Sequence, residues 1–427
     1  MSSSKSAFHC GLTALVLALM PGAGPVYAQG GQEFIVQFRE GTPAGVRRAA
    51  AADAGAAAGI VFSGVAAATV RVPSDQALAA LQRNPDVTSI VPNRIVSAHQ
   101  SAKGKPSGGG GGQATQVVPA GVTRVGVPGT SSDGTGVGVA ILDTGIDLKH
   151  QDLAGTVNAF SAFGSSCQDN AGHGTHVAGI VGARDNNVDV VGVAPKATLY
   201  CLKVLDQSGS GSDATVMAGL DWVLSAHASV TPAIRVINMS LGRPGTVDDN
   251  PAMRDLIANL DAAGVLVVVS AGNDSAADVT EQIPAAYSQV VSVASTTALA
   301  GGNQCRFLAQ PIATDTASYF TTDGANVTVS APGEDAEDVS RACTISSVGI
   351  LSTRLGGGTT RMSGTSMSAP HVSGIAARQF QQHPAYTPAD VRIVLALDAA
   401  RQGLAPLDSP ASGYTFDGVR EGVAVAP

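Results

Sequence analysis

After about residue 113, apolar residues occur as short continuous runs separated by amphipathic stretches. The amphipathic stretches at 212–227 and 251–263 predict helices. Continuous apolar strands that alternate with helices are typical of a mostly parallel sheet flanked by helices on both faces. We therefore expect an α/β fold here. The runs predict five strands, at residues 137–142, 198–204, 234–239, 265–269 and 290–293.

The pattern before this region predicts a separate, small α+β unit. Residues 33–38 alternate polar and apolar side chains as a half-buried strand does. Thr42 followed by Pro43 predicts the start of an Ala-rich helix, and Ser74 predicts the cap of a second helix. The resulting order is the split β-α-β arrangement of ferredoxin-like domains. Further strands are expected at 59–65, 67–72 and 87–91.

The ends of these units set the expected domain organisation. Lys5, an apolar stretch at 12–20 and small residues up to Ala28 predict a signal peptide at 1–28, and hence secretion to the extracellular space or periplasm. A Gly/Ser-rich stretch at 99–115 contains five consecutive glycines and predicts an exposed linker. We expect an N-terminal domain at 29–98 and a main domain at 116–427.

Composition and charge exclude several partners. The 427-residue chain has a net charge of −8, which argues against a general nucleic-acid binder. No apolar run after the N-terminus is long enough to span a membrane. Residues 29–112 carry 8 basic and 5 acidic side chains, whereas residues 113–427 carry 16 and 28. Opposite net charges of +3 and −12 favour association between the two parts.

Four cysteines remain after the expected signal peptide, an even number that suggests disulfides in an exported protein. Three pairings are possible. We favour Cys167–Cys201 and Cys305–Cys343, because each closes a loop of modest length.

Polar residues follow the predicted strands, where parallel sheets carry their chemistry. Asp143, in Asp-Thr-Gly, has three interpretations: a turn former, the aspartate of an aspartic protease, or a residue that orients a histidine. An aspartic protease needs a second such carboxylate, and no second Asp-Thr-Gly or Asp-Ser-Gly occurs. Asn273 follows the fourth strand and is either a turn former or a donor to a developing oxyanion.

Two further motifs carry candidate nucleophilic chemistry. His173 lies in Gly-His-Gly-Thr-His, which lacks the glutamate and the spacing of the zinc-protease pattern. Ser366 lies in Gly-Thr-Ser-Met-Ser-Ala-Pro, where Pro370 fits the first turn of a helix. Ser366 is then at a helix N-terminus, where it either caps the helix or acts as a nucleophile.

The chain order Asp143, His173, Ser366, with Asn273 between the last two, is specific. With their motifs, these residues resemble the subtilisin-like serine proteases (subtilases), on the proteinase K and aqualysin side. The resemblance covers about residues 113–400, and residues 33–96 resemble the inhibitory propeptide of that family.

The resemblance implies a serine endopeptidase that acts on polypeptides, made as a monomeric, self-processing zymogen whose propeptide inhibits it. Asp143, His173 and Ser366 would form the triad, Asn273 would complete the oxyanion hole, and catalysis would need no cofactor. An aspartic protease and an inactive binding module remain as alternatives.

The resemblance also implies binding sites. Substrate would bind as a strand between Gly209, Ser210 and Gly211 on one side and Ser240, Leu241 and Gly242 on the other. A structural Ca²⁺ would be held by Gln116, Asp152, Arg184, Asn186, Val188 and Val190.

Overall fold

The structure of the chain is a computed structural model that describes residues 31–99, 102–103, 115–402, 405–410 and 417–427. The expected signal peptide lies outside the described residues, and so does most of the expected linker.

The N-terminal segment forms six elements in the predicted order. They are β1 (Gln32–Phe38), α1 (Ala44–Asp53), β2 (Ala57–Val61), β3 (Ala67–Val72), α2 (Asp75–Gln82) and β4 (Val87–Pro92). The strands pair antiparallel in the order β2-β3-β1-β4, and both helices pack on this sheet. Ser74 caps α2 as predicted. The predicted cap by Thr42 is wrong, because Pro43 occupies the cap position of α1 and makes no side-chain bond.

The chain then continues through two short strands into the main domain. The short strands are β5 (Ile95–Ala98) and β6 (Ala102–Lys103). The main domain has the helices α3 (Ala120–Arg124), α4 (His173–Gly182), α5 (Asp213–Ala226), α6 (Pro251–Ala262), α7 (Thr365–Gln382) and α8 (Pro388–Arg401). Its strands are β7 (Gly138–Asp143), β8 (Val157–Ser161), β9 (Thr198–Lys203), β10 (Ser210–Ser212), β11 (Ile234–Met239), β12 (Leu241–Pro244), β13 (Leu266–Ser270), β14 (Gln282–Ile283), β15 (Val290–Thr297), β16 (Val329–Glu334), β17 (Ala336–Val339), β18 (Ile345–Val348), β19 (Ile350–Thr353) and β20 (Thr359–Ser363).

Seven of these strands form a parallel sheet in the order β16-β15-β13-β11-β7-β9-β8. The five predicted strands are its inner members. The two edge strands were not predicted, for different reasons. β8 is short and largely accessible to solvent, so it lacks a continuous apolar run. β16 contains Pro332, which a strand tolerates at the edge of a sheet because its missing N–H faces no partner there.

Each face of the sheet carries its own apolar core. Val139 and Ile141 of β7 point to a core shared with α4 and α7, whereas Ala140 and Leu142 point to a core shared with α5 and α6. This alternation follows from the two-residue period of a strand. The sheet is therefore buried on both faces, which is why its inner strands have no polar side.

Both favoured disulfides are present, Cys167–Cys201 and Cys305–Cys343. Each ties a loop to a neighbouring segment of the main domain. Among the described residues, no helix combines the length and the apolar character needed to cross a membrane.

Two buried glutamates lie together where β16 passes into β17. Glu334 ends β16 and Glu337 lies in β17, and both are completely buried. Burial, and then the neighbouring carboxyl group of Glu337, raise the pKa of Glu334 well above its ordinary value. The folded chain therefore keeps a proton that the unfolded chain releases above about pH 4.3. Consequently, the free energy of unfolding decreases as the pH rises from that value through the raised pKa of Glu334.

The variant Glu334→Gln should weaken this pH dependence, because its amide is neutral at every pH and has nearly the shape of the protonated acid. Between about pH 5 and pH 9, the free energy of unfolding should fall less in the variant, by at least about 1 kcal/mol. Urea titrations at the two pH values measure the difference. The control Glu40→Gln changes an exposed glutamate and should leave the pH dependence unaltered. An identical pH dependence in the Glu334→Gln variant and the parent would contradict the prediction.

Candidate active site

The end of β7 and the start of α4 bring Asp143 and His173 together. Asp143 is completely buried, and its two carboxylate oxygens lie 2.8 and 3.0 Å from Nδ1 of His173. Burial alone would lower the pKa of His173, but the charge of Asp143 and its hydrogen bond raise it above the ordinary value. The pair is therefore arranged to hold one tautomer of the imidazole and to stabilise its protonated form.

Asp169 positions this pair and was missed in the sequence. Its carboxylate accepts hydrogen bonds from the Thr144 hydroxyl at 2.9 Å and from the N–H and hydroxyl of Thr175 at 3.0 and 2.6 Å. It also accepts from two backbone N–H groups of the loop before His173. Asp169 thus joins the residue after Asp143 to the first turn of α4. An Asp shortly before a helix start is the local signal that could have identified it.

Ser366 is the second residue of α7, and its hydroxyl donates to the carbonyl of Ser240 at 3.0 Å. Pro370 lies inside the helix and not in its first turn, which corrects the expected position. Because a proline has no N–H, it leaves the carbonyl four residues earlier, that of Ser366, without a helical donor. The Ser240 hydroxyl donates to that carbonyl at 2.8 Å. Two reciprocal hydrogen bonds therefore join Ser240 and Ser366.

Two polar groups of the candidate site are buried without a partner among the described residues: Nε2 of His173 and Nδ2 of Asn273. The side-chain oxygen of Asn273 accepts from the N–H and the hydroxyl of Thr365, both at 2.9 Å. This contact fixes the orientation of the amide and leaves its N–H₂ group as the free donor. Buried polar groups without partners are costly in folded proteins, and a catalytic role is one explanation for them.

The chain itself runs through the cleft as a strand. β5 lies antiparallel between β10 and β12, so that a segment of the N-terminal region fills the slot between the two predicted substrate flanks. The slot residues are the six predicted ones: Gly209, Ser210 and Gly211 face Ala98, Ser97 and Val96, and Ser240, Leu241 and Gly242 face His99, Ala98 and Ser97.

Beyond β5, the carbonyl of His99 accepts a hydrogen bond from the N–H of Ser366 at 3.4 Å. On the far side of Ser366, β6 pairs antiparallel with β20, with Ala102 opposite Ser363 and Lys103 opposite Met362. His99 and Ala102 therefore lie on the two sides of Ser366. The sequence places both residues in the expected linker, because nothing in its composition indicates contacts with the main domain.

The N-terminal domain also contacts the outer face of the main domain. The carboxylate of Asp221 in α5 accepts from the N–H groups of Ser63 and Gly64 at 2.6 to 3.0 Å. In α6, Asn259 donates to the carbonyl of Gly64 at 2.8 Å, and Asp255 accepts from the side chain of Gln37 at 2.6 Å. Contacts of β1 and of the loop between β2 and β3 with two helices hold the domain in place while β5 occupies the slot.

The residues predicted to hold a metal ion also come together. Gln116 donates to the carbonyls of Arg184 and Val190 at 2.8 and 3.3 Å. The buried carboxylate of Asp152 accepts from the side chain of Asn186 at 3.1 Å and from the N–H of Val190 at 3.0 Å. Val188 joins them through its N–H, which donates to the Asn186 side chain. Carboxylate, amide and carbonyl oxygens form the donor set that suits Ca²⁺, so these residues fit that ion.

Comparison with known proteins agrees with this geometry. The model of the subtilase family matches residues 134–413. Subtilisin E of Bacillus subtilis (strain 168) is 32% identical over 338 residues, which cover 78% of this chain and 74% of that protein. Subtilisin of Bacillus pumilus is 34% identical over 284 residues, which cover 65% of this chain and 90% of that protein.

Solved structures share the fold. A cold adapted subtilisin-like serine proteinase superposes with a TM-score of 0.55 at 27% identity, over 74% of this chain and 99% of its own. Fervidolysin from Fervidobacterium pennivorans, a keratinolytic enzyme related to subtilisin, superposes with a TM-score of 0.67 over 92% of this chain and 60% of its own. At 21% identity, the second match shows the fold alone.

These matches confirm the predicted α/β fold class of the main domain and the resemblance to the subtilases, and the aspartic protease alternative is wrong. In the structure, the carboxylate of Asp143 contacts the imidazole of His173, as the serine-protease interpretation expects. The matched residues include Asp143, His173, Asn273 and Ser366. The chain belongs to the subtilase family of serine endopeptidases, hydrolases that act on peptide bonds.

Proposed function

We propose that this chain is a secreted serine endopeptidase, made as a zymogen that cleaves itself, with Asp143, His173 and Ser366 as its triad. One observation carries the proposal. A segment of the same chain lies through the cleft as a strand, and its His99 carbonyl meets the N–H of Ser366 beside the Asp143–His173 pair. A peptide in that position has its carbonyl carbon next to the serine.

The proton transfers follow from the positions of the three side chains. The Ser366 hydroxyl rotates away from the Ser240 carbonyl toward the unpartnered Nε2 of His173, which takes its proton as the oxygen attacks the peptide carbonyl. Asp143 stabilises the resulting imidazolium. His173 then gives the proton to the leaving amine, and water hydrolyses the acyl ester by the same steps in reverse.

The negative oxygen of the tetrahedral intermediate is stabilised by two donors. One is the N–H of Ser366 at the start of α7, where the helix dipole also favours negative charge. The other is Nδ2 of Asn273, which is held in place by Thr365 and has no other partner among the described residues. Both donors are fixed before the reaction, so that no reorganisation is needed as charge develops.

The N-terminal domain acts as the inhibitor within the zymogen. Its strand β5 fills the substrate slot with main-chain hydrogen bonds on both sides, which is how peptides add to a sheet edge. The hydrogen bonds to Asp221 and α6 hold it there, and the net charges of +3 and −12 on the two parts add long-range attraction. The linker of 99–115 connects the domain to the enzyme that it inhibits.

Export and calcium complete the proposed function. The predicted signal peptide at 1–28 directs secretion, and two disulfides suit an oxidising compartment. Ca²⁺ would be bound by Gln116, Asp152, Asn186 and the carbonyls of Arg184, Val188 and Val190, where it would stabilise the loop between α4 and β9. We propose a monomeric enzyme whose partners are polypeptide substrates and its own propeptide, without nucleic acid or membrane.

Replacing the nucleophile tests the central claim. Full-length Ser366→Ala should remain a single chain and hydrolyse no peptide, because removal of this serine costs about 10⁶-fold in kcat in subtilisin. The parent chain should yield two fragments. Electrophoresis and intact mass follow the products. Ser368→Ala, a change at a buried serine one half-turn further along α7, should process normally. A parent chain that folds but never cleaves itself or a peptide would instead support the inactive binding module.

Replacing the oxyanion donor separates the stabilisation of charge from binding. Asn273→Ala should lower kcat by about 10²–10³-fold, the loss that removal of such a donor causes in subtilisin, and should leave KM nearly unchanged. Steady-state kinetics on a chromogenic peptide measure both constants. Asn303→Ala, at a loop asparagine with backbone partners of its own, is the control and should leave kcat unaltered. A loss confined to KM would show that Asn273 binds substrate and does not stabilise the transition state.

Removing Ca²⁺ should lower the thermal stability of the folded chain. Saturating Ca²⁺, about 100 times its Kd, should stabilise the folded chain by about 2.7 kcal/mol over the same chain in chelator. Asp152→Asn should abolish this difference, whereas Asp278→Asn, at a capping aspartate of another loop, should retain it. Differential scanning calorimetry with and without Ca²⁺ measures the shift in Tm. An equal Tm of the parent chain in both conditions would contradict the proposed site.

A further inference from the structure

The imidazole of His99 is seated in a pocket at the cleft and does not project into solvent like the neighbouring Ile95 side chain. Its Nδ1 lies 2.8 Å from the hydroxyl of Ser270, which is completely buried at the end of β13. The other side of the ring lies against the backbone of Gly242. A Cβ atom at Gly242 would approach Cε1 and Nε2 of His99 to 2.6 and 2.8 Å, so only glycine leaves room for the ring.

Both neutral polar and charged side chains line this pocket. Asn273, Gln282 and Asp274 line the cavity next to His99, together with Arg243. Arg243 is committed to Asp213 through two hydrogen bonds of 2.9 and 2.7 Å. The hydroxyl of Ser270 can donate or accept, so it matches either tautomer of a neutral imidazole.

The histidine is neutral in this position. Burial, and then the proximity of His173, lower the pKa of His99 to about 4. A protonated His99 would place a positive charge near His173, which must itself become protonated during the reaction. A lysine side chain in place of His99 would do the same.

The backbone indicates which bond lies at the nucleophile. The carbonyl held by the N–H of Ser366 belongs to His99, whereas residues 95–98 are paired on one side of the nucleophile and residues 102–103 on the other. The residue whose carbonyl occupies the oxyanion position contributes the acyl group. The carbonyl carbon of His99 is therefore the atom that Ser366 attacks.

We infer that the zymogen cleaves itself between His99 and Gln100. The residue before the cleaved bond is selected by Ser270, which favours a neutral side chain that can form a hydrogen bond, and histidine above all. The Ser366 oxygen bonds to the His99 carbonyl carbon, the bond to the Gln100 nitrogen breaks, and that nitrogen leaves as an amine with the proton from His173. Water then releases the His99 carboxylate and restores the Ser366 hydroxyl. This inference rests on the proposed function and adds the substrate class to it.

The first measurement locates the cut in the full-length chain. The C-terminus of the released N-terminal fragment is the informative end, because later trimming of the linker changes only the new N-terminus of the enzyme. Intact mass and C-terminal sequencing, early after folding, should show a fragment that ends at His99. His99→Lys should slow its release at least about tenfold relative to the parent chain. A first fragment that ends at any other residue would overturn the assignment of the bond.

The second measurement tests the role of Ser270 in selection. The processed enzyme is given the peptide Ile-Val-Ser-Ala-His-Gln-Ser-Ala-Lys, which repeats residues 95–103, and versions with Phe, Ala or Lys in place of His. We expect the His peptide to have the highest kcat/KM. Ser270→Ala should lower the ratio of kcat/KM for the His and Phe peptides about tenfold, the loss expected for one hydrogen bond. Most of the change should come from the His peptide.

A matched control separates selection from packing. Ser292→Ala changes another completely buried serine of the same sheet, one whose hydroxyl has no partner in the described part of the chain, and should leave the ratio unaltered. An unchanged ratio in Ser270→Ala, or a preference of the parent enzyme for Phe over His, would overturn the inference while leaving the protease function intact. An enzyme that cleaves none of the peptides and never processes itself would overturn the proposed function as well.

Discussion

The parallel pairing of the central sheet is the constraint on which the site depends. Because β7, β11 and β13 run side by side in one direction, the residues that follow them meet at a single edge. Asp143, Ser240 and Ser270 reach that edge although far apart in sequence, and α7 adds Ser366 by packing against the same strands. A strand reversed or shifted by one residue would turn its last side chain away from this edge. The rigidity of a sheet buried on both faces is therefore what sets the distances between the reacting groups.

The same edge forms a slot for a peptide backbone. β10 and β12 belong to a separate four-stranded sheet, in which β5 pairs with both of them. Main-chain hydrogen bonds of this kind contribute affinity without regard to sequence, which leaves selection to the few side chains that enter pockets. His99 is one of these, and Ser270 is the group that it meets. In the proposed function, inhibition and substrate binding would therefore use one arrangement of strands, in which the bound segment belongs to the same chain.

Two side chains of the proposed site each keep one polar atom without a hydrogen bond. Nε2 of His173 and Nδ2 of Asn273 are both buried without hydrogen bonds in the described structure, whereas their opposite ends are held by Asp143 and Thr365. Each side chain is fixed by one atom and keeps the other available. Unpaired groups of this kind cost stability, and rigid neighbours on every side keep them from finding other partners.

Local patterns in the sequence predicted the inner strands, the six elements of the N-terminal domain and both disulfides, because apolar runs and loop lengths are properties of short segments. The motifs around Asp143, His173 and Ser366 indicated the family. Features that depend on distant partners were not predictable. These include the edge strands β8 and β16, whose pairing depends on the rest of the sheet, and Pro370 within α7, which is tolerated because Ser240 supplies the missing donor.

The roles of Asp169 and His99 depended on tertiary structure in the same way. Asp169 has the ordinary sequence context of a turn, and only folding places Thr144 and Thr175 on either side of its carboxylate. His99 lies next to a glycine-rich linker, and nothing local distinguishes it from that linker. The sequence by itself determined the types of element, the chemistry of the reacting side chains and the family. Only the tertiary structure showed that the carbonyl of His99 lies at Ser366 and that the hydroxyl of Ser270 meets the His99 imidazole. Such contacts join segments that only packing brings together.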